Sequence, residues 1–152
     1  MQPHVPAFPH FEDLTERLSF LTQTALYRAC SAHGLTPTQY SALAAIKALG
    51  EPKMSRLAAY LGLTPGACTT LMDRLVRQGW VERCSDPADR RSVCIHASAQ
   101  GAEAFEAVNR ARRQMTQEVY QGMDPATREQ LRHSVEMLVD GWQQYLRSHD
   151  DR

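Results

Sequence analysis

Residues 54–80, MSRLAAYLGLTPGACTTLMDRLVRQGW, decide the fold. The pattern reads as a short helix, a glycine turn and a longer helix. The short helix runs from Ser55 to Leu61, with Leu57, Ala58 and Leu61 turned inward, and Gly62 ends it. Thr64-Pro65 is a start signal: a threonine that caps, then a proline where a helix needs no N–H. The second helix extends to Gln78, just before Gly79. Two helices joined by a glycine-containing turn, with small residues at the crossing, form the helix-turn-helix pattern.

Laid out at about 100° per residue, the second helix has Cys68, Leu71, Met72 and Leu75 on one side. Gly66, Thr70, Asp73, Arg74 and Arg77 fall on the other. This outer face is small at its leading end and basic toward its trailing end. That shape suits entry into a major groove, where hydroxyls reach bases or phosphates. The first amides near Thr64 and Gly66 also favour a phosphate. Ser55, Thr64, Gly66, Thr69, Thr70, Asp73, Arg74 and Arg77 are therefore candidate DNA contacts. The plainer alternative is a solvated face that touches nothing.

Trp80–Cys84 (WVERC) and Ser92–His96 (SVCIH) are β-like runs, and the polar Ser85–Arg91 (SDPADRR) lies between them. They read as a hairpin with a charged tip. Arg90 and Arg91 there make a narrow positive probe of the kind that enters a minor groove. Asp89 is placed to hold Arg83 and brace the tip.

Outward from this unit, Pro3, Pro6 and Pro9 make residues 1–10 an extended arm. Phe11, Leu14, Leu18, Leu21 and Ala25 form the stripe of a first helix that fades near Gly34. Thr36-Pro37-Thr38-Gln39 is a capping box that opens a second helix, with Tyr40, Leu43, Ala44 and Ile46 as its apolar side. Gly50 stops that helix, and Glu51-Pro52-Lys53 is a turn. Ser98 caps a long helix with Ala104, Val108, Ala111, Met115 and Val119 on one side. Asp124-Pro125 starts the last helix, where Leu131, Val135, Leu138, Trp142 and Tyr145 alternate steps of four and three.

The end helices carry more apolar stripe than one small unit covers. A homodimer is expected, joined through Phe11, Leu14, Leu18 and Leu21 of the first helix and Leu131, Val135, Leu138 and Trp142 of the last. The fold class is mainly α with a small β wing: a winged helix-turn-helix flanked by N- and C-terminal dimerisation helices. Its parts are 1–35, the arm and first dimerisation helix; 36–98, the DNA-binding domain; and 99–152, the C-terminal dimerisation helices.

The charge count sharpens the reading. The 152 residues carry 17 Lys+Arg against 17 Asp+Glu, a balance unlike that of most phosphate binders. The balance is uneven, however. Residues 53–94 hold seven bases and four acids, a net charge of +3, while the flanks sum to −3. The positive charge sits in the helix-turn-helix and hairpin.

The chain resembles the MarR family of bacterial transcriptional regulators. The resemblance is carried by Ser55–Thr64 (SRLAAYLGLT), Pro65–Arg83 (PGACTTLMDRLVRQGWVER) and Asp86–Ser92 (DPADRRS), whose Asp89-Arg90-Arg91 matches the wing signature. It implies an obligate dimer on a palindromic operator in double-stranded DNA. It also implies a recognition helix starting at Thr64 or Pro65, a wing whose Arg91 enters the minor groove, and an Asp89–Arg83 pair. Ala97-Ser98 stands where the family has Leu-Thr, and the first helix is short for the family. The function implied is a dimeric repressor released by a small aromatic effector, for which Tyr27, Arg28, His33 and Tyr40 are pocket candidates.

Two alternatives stand beside it: a winged-helix protein-interaction module without operator recognition, and a thiol-based redox-responsive regulator. Ser19 occupies the position of the peroxide-sensing cysteine of some relatives, and a serine forms no thiolate. Cys30 and Cys68 read as core residues, while Cys84 and Cys94 lie on adjacent strands of the hairpin. No histidine pair is spaced for a metal on a helix, so neither metal nor cofactor is expected. No phosphate loop, GxSxG elbow or HExxH motif is present, and no catalytic residues are assigned. No apolar run is long enough to span a membrane, and without a secretory signal the cytoplasm is the expected location.

Overall fold

The computed structural model describes residues 10–86 and 89–149, with the side chains of residues 85–92 outside the description. Six helices and two strands follow in the order α1 (Phe11–Ala32), α2 (Pro37–Leu49), α3 (Met54–Leu61), α4 (Pro65–Arg77), β1 (Val81–Asp86), β2 (Asp89–Ala97), α5 (Ala99–Tyr120) and α6 (Pro125–His149). The chain divides into two compact units, residues up to Arg112 and residues from Arg113 on. The division falls inside α5, whereas the sequence reading put boundaries after residues 35 and 98. The physical reason is packing: α1 rests on α2, and the first half of α5 is bonded to α2.

Local signals set the helix ends. Thr36 and Gln39 form the reciprocal capping box, with the Gln39 amide N–H donating to Thr36 Oγ1 at 3.2 Å. The Thr36 N–H donates in return to Gln39 Oε1 at 2.6 Å. Thr64 Oγ1 accepts from the Ala67 amide, and Pro65 opens α4. Ser98 Oγ accepts from the Gly101 amide at 3.0 Å and donates to the Gly79 carbonyl at 2.5 Å. Asp124 caps α6. Gly50 and Gly62 end α2 and α3 in the left-handed conformation that costs glycine little.

Leu43, Ile46, Leu57, Cys68, Met72, Leu75, Val81, Ile95 and Val108 make the core of the first unit. The stripes read from sequence differ from it in detail. Ala42 and Ala45 are buried where Ala44 is half-buried, and Leu61 and Leu71 are half-buried. Phe105 and Gly101 of α5 join the core. At Gly101 a Cβ would lie 1.9 Å from the Trp80 carbonyl oxygen, so α5 packs on the backbone that leads into β1 only with glycine there.

β1 and β2 pair antiparallel, with Glu82 opposite His96, Arg83 opposite Ile95 and Cys84 opposite Cys94. The strands are longer than expected. Asp89, Arg90 and Arg91 lie in β2 rather than in a loop, and Trp80 precedes β1. The register shifts between Ser85 and Asp86, which marks where the hairpin twists toward its tip.

Candidate nucleic-acid interface

α4 buries Cys68, Met72 and Leu75 and leaves Thr64, Gly66, Thr69, Thr70, Arg74 and Arg77 exposed. Nothing lies within 4 Å of the Cβ position of Gly66, so the leading end of the helix is open. Thr69 Oγ1 donates to the Pro65 carbonyl at 2.9 Å and Thr70 Oγ1 to the Gly66 carbonyl at 3.0 Å. With those protons committed to the helix backbone, both oxygens face outward as acceptors. A threonine in this state matches an amino group on a base edge.

Asp73 has a different environment from the rest of this face. It is half-buried, and its carboxylate accepts from the Arg83 guanidinium of β1. The expected partner of Arg83 was Asp89, whose side chain lies outside the described residues, as do those of Arg90 and Arg91. A guanidinium has five N–H donors, so the bond to Asp73 leaves capacity for others. What the Asp73 bond does is tie the wing to α4, and α4 also packs on β1.

The site has a second edge that the sequence reading only half assigned. Ser55, a candidate contact, is exposed at the start of α3. It lines an open polar groove with Pro52, Lys53 and Arg56, and Cys94 borders it. Lys53 and Arg56 were counted in the basic patch without being named as contacts. Their signal was the local charge itself. Gln39 of α2 donates to Gln78 after α4 at 2.6 Å, a brace that no spacing rule marks.

The four effector-pocket candidates are not gathered in one cavity. Tyr40 is buried, stacked on Phe105 with ring centroids 5.2 Å apart. Its hydroxyl donates to Asn109 Oδ1 at 2.8 Å and accepts from Arg112 at 2.7 Å. Tyr27 is exposed on an open groove with Phe20, Leu26 and Pro37, and Arg28 and His33 are exposed elsewhere on or after α1. The cation that Tyr40 meets is Arg112, remote in sequence, and its ring is spent on packing.

Burial pushes the Cys30 thiol up, with Arg112 partly offsetting it, and burial alone pushes Cys68 up. Both environments disfavour a thiolate. Cys84 and Cys94 sit directly opposite. The Ile95 N–H points away from β1 to the Pro52 carbonyl at 3.1 Å, which makes Cys84–Cys94 a hydrogen-bonded pair. Their Cβ atoms are therefore farther apart than a relaxed disulfide requires. Among the described residues no group of three or more His, Cys, Asp or Glu side chains is placed to hold a metal ion. No helix among them is long and apolar enough to cross a membrane.

Phe11, Leu14, Leu18 and Leu21 on α1 are exposed, and so are Val135, Leu138 and Trp142 on α6, with Leu131 half-buried. Trp142 is 64% exposed, a large apolar ring left to water in a single copy.

A helix-turn-helix whose second helix is braced to a two-stranded wing defines the class: a winged helix-turn-helix protein. Residues 33–92 match the MarR family. The chain is 29% identical over 104 residues to the uncharacterized HTH-type transcriptional regulator YkoM of Bacillus subtilis, covering 68% of each chain. It is 35% identical over 72 residues to the multiple antibiotic resistance protein MarR of Salmonella typhimurium, covering 47% of this chain and half of that one. The crystal structure of a mutant MarR from E. coli complexed with operator DNA superposes with a TM-score of 0.64 at 23% identity, covering 91% of this chain and 99% of that one. The stretch from residue 33 to 92, less than half of the chain, is thus similar to the MarR family.

Proposed function

We propose that the protein is a dimeric transcriptional regulator that binds a palindromic DNA operator. The observation that carries this reading is the exposed face of α4, small at Gly66, hydroxylic at Thr69 and Thr70 and basic at Arg74 and Arg77, with its wing tied to it through Arg83 and Asp73. The relative solved with operator DNA supports it by fold.

In this reading α4 enters the major groove and the Thr69 and Thr70 oxygens accept from base amino groups. Arg74, Arg77, Lys53 and Arg56 neutralise phosphates, and the α3 and α4 N-termini add amides. Arg90 and Arg91 probe the neighbouring minor groove, where charge and groove width select A·T-rich sequence. Asp73 acts by holding Arg83 and not by touching DNA. A second copy covers the apolar stripes of α1 and α6, and two α4 helices then meet successive grooves on one side of the duplex. Binding of this kind blocks a promoter, and an effector that changes the wing or the spacing of the two copies releases it.

Fluorescence anisotropy with duplexes from upstream of the protein's own gene tests the reading. The expected result is salt-sensitive binding well above that of a scrambled duplex. Equal binding to both duplexes would leave a winged fold without operator recognition.

A further inference from the structure

We infer, on the DNA-binding reading of α4, that Gln39 is a positioning residue for recognition: its buried amide fixes the trailing end of α4 to the link between α1 and α2. Gln39 lies in the first turn of α2 and is only 5% exposed. An amide that buried needs partners for both its oxygen and its nitrogen. Oε1 accepts from the Thr36 backbone N–H at 2.6 Å. A backbone N–H only donates, so this bond fixes which way the amide faces. Nε2 is thereby turned to Gln78, whose Oε1 accepts at 2.6 Å. The cap of α2 and the end of α4 share one side chain.

The surroundings make this joint more than a single bond. Gln78 is the C-cap of α4, and its own N–H donates to the Arg74 carbonyl. Two residues on, the Trp80 N–H donates to the Leu75 carbonyl at 3.0 Å. The Trp80 ring comes within 3.9 Å of the position a Cβ would take at Gly34, in the α1–α2 link. Leu35 in that link is buried, and its N–H donates to the Cys30 carbonyl of α1 at 2.9 Å. Bonds and packing therefore run without a break from α1, through Thr36 and Gln39, to the end of α4. Arg74 and Arg77 sit in that last turn, so a tilt there displaces both guanidinium groups. Gln39 is too buried to touch a duplex, and it acts through α4.

Two measurements on the full chain test the role, with Gln39→Met, Gln78→Met, the double variant and Gln39→Glu. Glutamate is the other capping-box residue. It keeps the Thr36 bond, and the exposed Gln78 amide turns over to donate to it. Without DNA, amide hydrogen exchange at residues 76–80 should rise roughly fivefold in both Met variants, the value of about one neutral hydrogen bond. Gln39→Glu should keep the wild-type rate. In anisotropy with the footprinted duplex, both Met variants should lose operator affinity by roughly fivefold, and the double variant little more. Affinity for a scrambled duplex and its salt slope should stay unchanged, because no phosphate contact is lost. A general loss of folded protein would lower both affinities alike.

Should Gln39→Met fail to fold by circular dichroism, Gln78→Met decides alone, since its side chain is exposed. Unchanged exchange in Gln78→Met would overturn the joint whatever the DNA result. Faster exchange with unchanged operator affinity, or equal losses on operator and scrambled duplexes, would overturn the positioning role. A wild type that binds both duplexes alike would overturn the DNA-binding reading and that role with it, while the exchange rates would still report the bond between α2 and α4.

Discussion

Arg83 in the first strand of the wing donates to the carboxylate of Asp73 on α4, and so adds a side-chain tie between the two elements on either side of the Gln78-Gly79 turn. Both side chains are 45% exposed. An ion pair that wet contributes less than about 1 kcal/mol to stability. Its value lies in orientation. Asp73→Ala and Arg83→Ala should each leave the thermal midpoint nearly unchanged and weaken operator binding roughly tenfold, about 1.4 kcal/mol. A double-mutant cycle read in operator affinity should show strong coupling, so that the second substitution adds little. Purely additive losses would mean that each residue meets DNA independently.

Gly101 is held against the Trp80 carbonyl oxygen, and a methyl group has no room. Gly101→Ala should destabilise the protein by about 1–3 kcal/mol in urea unfolding, because backbone on both sides must move. Gly66→Ala is the contrast. Open space surrounds that position, so stability should change by no more than about 0.5 kcal/mol while operator affinity falls. Equal stability of the two variants would contradict the packing described for α5.

Asp124 links acid stability to the cap of α6. Its Oδ1 accepts from the Ala126 and Thr127 amides at 3.0 and 3.1 Å, and the Thr127 hydroxyl donates to Oδ2. The Thr127 hydroxyl, followed by the Thr127 amide, holds this carboxyl below its ordinary range. A lowered folded value means that the carboxylate stabilises the native state above the unfolded value of about 3.9. That contribution is lost as pH falls through the lower folded value. Wild type should exceed Asp124→Ala in thermal midpoint near neutrality, and the gap should close in acid. A gap that stays constant into acid would show that the charged cap is not its source.

Arg77 lies in the last turn of α4 and is exposed. As a phosphate contact it should contribute about 0.9 to the slope of log affinity against log salt. Arg77→Ala should flatten the slope by that amount for each phosphate it no longer neutralises, and weaken binding to all sequences alike. Arg91→Ala should weaken binding most on sites with A·T-rich flanks. An unchanged slope for Arg77→Ala would remove that residue from the phosphate set.

Much of the fold was legible because its signals are local. The Thr36–Gln39 box, the Thr64-Pro65 start and the Asp124-Pro125 start each act within a few residues, and each formed where expected. The inner stripe of α4 was legible for the same reason. Long-range constraints were not. Nothing near Gly101 announces Trp80, and nothing near Tyr40 announces Asn109 and Arg112, some 70 positions later. Asp73 was not read as a partner of Arg83, and it reaches Arg83 because α4 and β1 fold together. Spacing rules describe neighbours along one element, and these partners meet only after packing.

In the proposed binding mode two copies of α4 read one duplex in step. The most direct measurement is anisotropy on a duplex carrying the footprinted site, compared with the same duplex lengthened by about 5 bp, a half-turn, between its half-sites. The half-turn insertion should rotate one half-site to the far side and reduce binding to the non-specific level, while an insertion of about 10 bp restores part of it. Equal affinity for the parent and half-turn duplexes would contradict paired reading by two α4 helices.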